Sequence, residues 1–117
     1  MKILEVKDLK NYGIEIPKKG KVIVDIYTSW CAPCRILSKV LENFEEEGLI
    51  KTVKVNLDNN QEFGQDLGIH SIPTLLFFKD GKLLDNDIEI KGKPIVNQGV
   101  MIGAAGELIL REIIKRM

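Results

Sequence analysis

The hydrophobic pattern of this chain changes period again and again, and that alternation limits the folds open to it. Lys21 to Tyr27 is a β-branched, apolar run around one acid, as in a strand covered on both faces. Leu37, Val40/Leu41 and Phe44 then recur at helical spacing as far as Glu47, where Gly48 supplies a stop. Lys51 to Leu57 returns to the period of a strand, with Val53, Val55 and Leu57 on one face. A short helix from Asn60 to Leu67, ended by Gly68, leads to another strand over Thr74 to Lys79, which Asp80-Gly81 turns into a hairpin. Upstream, Lys2 to Val6 reads as a short strand, and Asp8 is placed to cap a brief helix over Leu9 to Tyr12. The final helix runs from Glu107 to Arg116, with Lys115 and Arg116 suited to the negative end of its dipole. Glu45, Glu46 and Glu47 lie at the wrong end of their helix for that effect and read as a solvated face.

The order is β-α-β-α-β-α-β-β-α, the pattern of an α/β fold. Strands separated by helices imply a parallel core, and the Asp80-Gly81 turn adds an antiparallel edge. The expected architecture is a central mixed sheet with helices on both faces. Residues 82–102 carry two further strand-like runs, Lys82 to Ile90 and Ile95 to Ile102, around Lys91-Gly92-Lys93-Pro94. Asp85, Asn86, Asp87, Glu89 and Asn97 interrupt them, so the segment is expected to form a projecting β-ribbon that lengthens the antiparallel edge and either offers a surface for selecting a partner or simply caps an exposed edge.

With 117 residues, 44% hydrophobic and 29% charged, the chain is expected to be a single domain over 1–117 with a core of its own. Seventeen basic residues balance seventeen acidic ones, which gives no broad electrostatic reason to bind nucleic acid or an anionic membrane. Its longest apolar runs, such as Thr74 to Phe78, are strand-length, and the N-terminus meets Glu5 too soon for a signal peptide. A soluble, cytoplasmic, monomeric protein is the expectation.

The chain has two cysteines, in Trp30-Cys31-Ala32-Pro33-Cys34, between the buried-type strand and the amphipathic helix. Cysteines three apart at a helix start can bring their sulfurs together without distorting the helix. Cys31 would stand near the N-terminus, where free N–H groups and the macrodipole favour a thiolate, and Cys34 would lie one turn in, better shielded. Pro33 is tolerated there because its missing N–H has no intrahelical partner in the first turn. A zinc site would need four ligands where the chain offers two Cys and the single His70, and a haem attachment site would need His where Arg35 stands. The thiols could also be small buried hydrophobes.

Asp25 shares a strand face with Ile23 and Tyr27 inside an apolar run. Burial of an unpaired carboxylate should raise its pKa. An ion pair with Lys54 is the structural alternative.

Val22 to Tyr27, Trp30 to Cys34, Lys54 to Asp58 and Gly68 to Phe78 together resemble the thioredoxin family in order and spacing, from the start of the chain to residue 81 and again near Gly103. The resemblance implies a thioredoxin fold and a thiol–disulfide oxidoreductase that reduces protein disulfides through a redox-active Cys31–Cys34 pair. It implies a cis peptide bond between Ile72 and Pro73, with Pro73 facing the cysteines and the Ile72 backbone pairing with an extended substrate. Asp25 would shuttle a proton to and from Cys34, with Lys54 in support. Trp30, Pro33 and Gly103 would join Ile72 and Pro73 in binding substrate. A generic glycine at a helix start is the alternative reading of Gly103, and simple packing that of Trp30. The implied partners are disulfide-containing client proteins and a flavin-containing, NADPH-dependent thioredoxin reductase; no cofactor or metal would bind this chain.

The sequence departs from the family at Ala32, where Gly is usual, at Tyr27 in place of Trp, and at Lys39 in place of a helix-kinking proline. The stretch between Gly81 and Gly103 is also longer by roughly a dozen residues, which leaves partner choice open. A dedicated redox partner, or an isomerase or oxidase serving one client through that insertion, is the competing enzyme reading. A binding module that makes no use of its thiols is the reading from another class, and intact Cys31, Cys34 and Asp25 weigh against it.

Overall fold

The computed structural model describes residues 5–117. Its elements are α1 (Val6–Lys10), β1 (Lys21–Tyr27), α2 (Ala32–Glu46), β2 (Lys51–Asn56), α3 (Gln61–Leu67) and β3 (Thr74–Lys79). They continue as β4 (Lys82–Leu83), β5 (Ile88–Ile90), β6 (Lys93–Val96), β7 (Val100–Ile102) and α4 (Glu107–Lys115). The central sheet runs β2-β1-β3, and β3 then pairs with both β4 and β7. β1 and β2 are parallel, whereas β3 runs antiparallel to β1, β4 and β7. The sheet is mixed as expected, but among the described residues the parallel core reduces to one pair of strands.

Alternation along the strands sorts the core into two layers. Val22, Val24 and Ile26 of β1 join Val55, Leu76 and Phe78 under α1 and α3, together with Leu9, Phe63 and Leu67. Ile23, Leu75 and Phe77 point to the other face, against Leu37, Leu41 and Phe44 of α2 and Leu110, Ile113 and Ile114 of α4. Asp25 lies on this second face by the same alternation, under the helix that carries Cys34.

The sequence expectation differs from the structure in three places. The strand over Lys2 to Val6 falls mostly outside the described residues; within them, Glu5 bridges Lys82 and Val6 is already helical. The helix starts earlier than expected because Asp8 acts from inside its first turn, where its carboxylate accepts the Glu5 N–H at 3.0 Å. Glu45 and Glu47 are more than a solvated face. Glu45 accepts the Thr52 N–H at 2.6 Å, and Glu47 makes a two-pronged pair with Arg111 at 2.8 and 2.9 Å, which ties α4 to the end of α2.

The third difference is the 82–102 segment. The ends of the segment, β4 and β7, lengthen the antiparallel edge of the central sheet as expected, whereas β5 and β6 form a hairpin, turned by Lys91 and Gly92 at φ 54° and 80°, that is a separate two-stranded sheet and does not project. Ile88 and Val96 are buried among the α2 and α4 side chains, so the ribbon folds down as part of the core. It leaves and rejoins the sheet around one residue: Phe77 donates its N–H to Gly99 O at 2.8 Å and accepts the Leu84 N–H at 3.0 Å. The insertion therefore interrupts an edge strand, with β4 and β7 as its two halves. Gly99 closes that junction at φ +81°, and a Cβ there would lie 2.7 Å from both Leu83 Cγ and the Leu84 carbonyl oxygen. Gly99→Ala is expected to cost about 2 kcal/mol or more, read as a lowered midpoint in urea unfolding; an unchanged midpoint would show that the junction relaxes freely.

Candidate active site

β1 delivers the chain through Thr28-Ser29-Trp30 to the start of α2. Cys31 is the N-cap, in an extended conformation at φ −95°, ψ 110°, and its sulfur accepts the Cys34 N–H at 3.2 Å. Cys31 and Cys34 are joined as a disulfide, with their Cα atoms 5.3 Å apart. Sequence spacing located this pair correctly, and Pro33 sits in the first turn where its lost N–H does no harm. Two bonds hold the approach: Cys31 N–H donates to Thr28 O at 3.4 Å, and Arg35 Nη1 reaches back to Ser29 O at 3.2 Å.

Both cysteines are largely covered, Cys31 at 6% exposure and Cys34 at 2%, while the neighbouring Trp30 is 70% exposed. An opening of about 160 Å³ is lined by Cys34, Ser38, Glu42 and Lys54 among others.

Asp25 is fully buried, and neither carboxylate oxygen has a hydrogen-bond partner among the described residues. Burial pushes its pKa up to about 6, against the weaker opposing pull of Lys54. Asp25 and Lys54 are register partners on adjacent parallel strands, so they share a face. No ion pair joins them among the described residues. The Lys54 ammonium lies instead over the Tyr27 ring, 4.6 Å from its centroid. Sequence reading missed this contact, although Tyr27 had been placed on the Asp25 face; the period-two register was the available signal.

The Ile72–Pro73 peptide bond is cis. Thr74 Oγ1 donates to Ser71 O at 2.7 Å within that turn, and the Gly103 N–H donates to Pro73 O at 2.8 Å. Gly103 has φ +93° directly after β7, and the glycine that starts α4 is Gly106, so the helix-start alternative belongs to a different residue. His70 is exposed and apart from these contacts. Among the described residues no group of three or more His, Cys, Asp or Glu side chains could hold a metal ion.

The thioredoxin family model matches residues 3–98. The chain is 37% identical to thioredoxin of Bacillus subtilis over 82 residues, covering 68% of this chain and 79% of that one. It is 45% identical to thioredoxin of Porphyra purpurea over 90 residues, covering 75% and 84%. In fold it is similar to a mutant thioredoxin from Halobacterium salinarum, at a TM-score of 0.66 and 24% identity over 97% of this chain and 86% of that one. The chain belongs to the thioredoxin family. As a thioredoxin with the cysteine pair in place, it is a thiol–disulfide oxidoreductase and acts as a protein-disulfide reductase. The thioredoxin family implies disulfide-containing client proteins and requires no bound cofactor.

Proposed function

We propose that Cys31 is the attacking thiol and Cys34 the resolving one, with Asp25 as the proton acceptor for Cys34. The Cys34 N–H aimed at the Cys31 sulfur carries this reading, because it adds a hydrogen bond to a position where the helix dipole already favours a thiolate. The Cys31 thiolate attacks one sulfur of a client disulfide, whose S–S bond breaks to release the first client thiolate. The Cys34 thiol gives its proton to the Asp25 carboxylate and attacks Cys31 Sγ. The mixed disulfide breaks, the second client sulfur leaves with its electron pair, and the Cys31–Cys34 disulfide closes. Two electrons have passed to the client.

Trp30 and Pro33 form the client-facing surface around the pair, and Ile72 and Pro73 offer backbone to an extended client segment, with Gly103 bracing Pro73 through its N–H. Lys54 supports Asp25 electrostatically. A flavin-containing thioredoxin reductase returns the electrons from NADPH, which places the protein in cellular electron transport. Residues 1–117 act as one domain, as a monomer, in the cytoplasm. Among the described residues no helix is long and apolar enough to cross a membrane.

Insulin reduction tests the activity. With dithiothreitol as donor, the protein is expected to accelerate precipitation of the freed insulin chain; a rate no higher than dithiothreitol alone would sink the reading. NADPH consumption with an added bacterial thioredoxin reductase tests the donor separately. No consumption there overturns that assignment while leaving the reductase chemistry standing.

A further inference from the structure

Buried polar side chains are costly to a fold unless something pairs with them. Among the described residues there are four, Asp25, Thr28, Ser38 and Thr74. Asp25 belongs to the proton step already assigned, and Thr74 is satisfied by its bond to Ser71 O. Thr28 and Ser38 have no part in the chemistry so far. Both line the opening of about 160 Å³ that Cys34 also lines.

Ser38 interrupts the pattern of its helix. The buried residues of α2 are Cys34, Leu37, Ser38, Leu41 and Phe44, an apolar stripe broken by one hydroxyl. Ser38 follows Cys34 by four residues, so the two side chains are neighbours on one helix face. A helical side chain leans toward the helix N-terminus, which carries the Ser38 hydroxyl over the turn that holds Cys34. Thr28 is fixed at the start of that turn, because its carbonyl accepts the Cys31 N–H at 3.4 Å. Its own Oγ1 is buried with no hydrogen-bond partner among the described residues.

Cys34 is the sulfur that needs such donors. Its thiolate has to form where the residue is only 2% exposed and water solvates it poorly. The Cys34 N–H serves the Cys31 sulfur, and no backbone N–H serves Cys34 in return among the described residues. Of the three cations that line the opening, Arg35 is bonded to Ser29 O, Lys54 lies over the Tyr27 ring, and Lys39 is exposed to solvent.

We propose that Thr28 and Ser38 are hydrogen-bond donors for the resolving step, turning their O–H groups to the Cys34 sulfur as it becomes a thiolate. The proposal rests on the reading of Cys34 as the resolving thiol. The Cys34 proton passes to Asp25, the thiolate accepts the two O–H groups, and it attacks Cys31 Sγ. As the Cys31–Cys34 bond closes, the electron pair leaves with the client sulfur and the hydroxyls are released. Both hydroxyls keep their own protons throughout. Hydrogen bonds to an ionised acceptor are roughly twice as strong as neutral ones, so the pair favours the charged sulfur over the resting thiol.

The test mixes reduced protein with one equivalent of dithiobis(nitrobenzoate), which yields one coloured thiolate on attack by Cys31 and a second on resolution by Cys34. Ser38→Ala is expected to slow the second release about tenfold, the worth of one hydrogen bond to a charged group, and to leave the first unchanged. Thr28→Val should act in the same direction. Ser38→Thr and Thr28→Ser keep the hydroxyls and should resolve at close to the parent rate. A second release at the parent rate in either apolar variant overturns the proposal. So does slowing of both releases together, or slowing that the hydroxyl-bearing variants share, since each makes packing around α2 the cause. A parent that releases only one thiolate overturns the resolving role of Cys34, and one that releases neither overturns the reductase reading beneath it.

Discussion

Cys34→Ser is expected to stop turnover and leave the protein covalently joined to its client through Cys31. Cys31 holds the N-cap, and its sulfur accepts an N–H bond that Cys34 does not receive in return. The first attack needs only that sulfur. Resolution needs a second thiol one turn along, and a serine hydroxyl there is far too weak an acid to act as the nucleophile near neutral pH. Mixed disulfides should therefore accumulate in the Cys34→Ser variant and be absent from Cys31→Ser, as seen on non-reducing gels and by mass spectrometry of the adduct. Limiting iodoacetamide on the reduced parent should label Cys31 first, since Cys34 is the better covered of the two. Predominant labelling of Cys34, or client trapped by Cys31→Ser, reverses the two roles.

What the sequence made legible was whatever depends on neighbouring residues. The alternation of Lys21 to Tyr27 placed Asp25 on the face of Ile23, and the structure buries both, with Ile23 against side chains of α2 and α4. The three-residue spacing of Cys31 and Cys34 survived intact because one helical turn is a local geometry. The cis bond at Pro73 followed from resemblance; the residues alone allowed an ordinary trans proline. The insertion was misread for a physical reason. Glu89 and Asn97 are exposed while Ile88 and Val96 are buried, a one-sided pattern that fits a free ribbon and a ribbon folded onto a core equally well. Only the position of α4 decides between them, and Arg116, which caps its C-terminus, reaches the Glu89 carbonyl at 2.5 Å. The cation–π contact of Lys54 with Tyr27 was legible only in part, because the period-two register puts Tyr27 on the Asp25 face while the sheet decides which strand lies beside it.

Asp25→Asn is expected to stabilise the protein and slow the resolving step. In the folded chain the Asp25 carboxyl keeps its proton up to about pH 6, against an ordinary value of 3.8. Between those two values the folded state binds more protons than the unfolded one, so stability falls as pH rises and levels off above about 6. The accumulated cost at neutral pH is about 3 kcal/mol. Asparagine carries no charge to desolvate, so the variant should gain up to that amount at pH 7 and lose the slope between pH 4 and 6 in urea unfolding. A positioned base commonly contributes 10²–10⁴ in rate. Asp25 has no direct hydrogen bond to Cys34 among the described residues, and its effect should fall below that range, at about tenfold. Parent turnover should drop on acidification through pH 6 as the carboxylate protonates, and Asp25→Asn should lose that inflection. Lys54→Gln should shift the inflection upward, because Lys54 is the cation that opposes burial. If Asp25→Asn instead lowers stability at pH 7 and leaves turnover and its pH profile unchanged, Asp25 is a structural partner of Lys54 and the proton must reach solvent another way, with the opening between Cys34 and Glu42 as the available route.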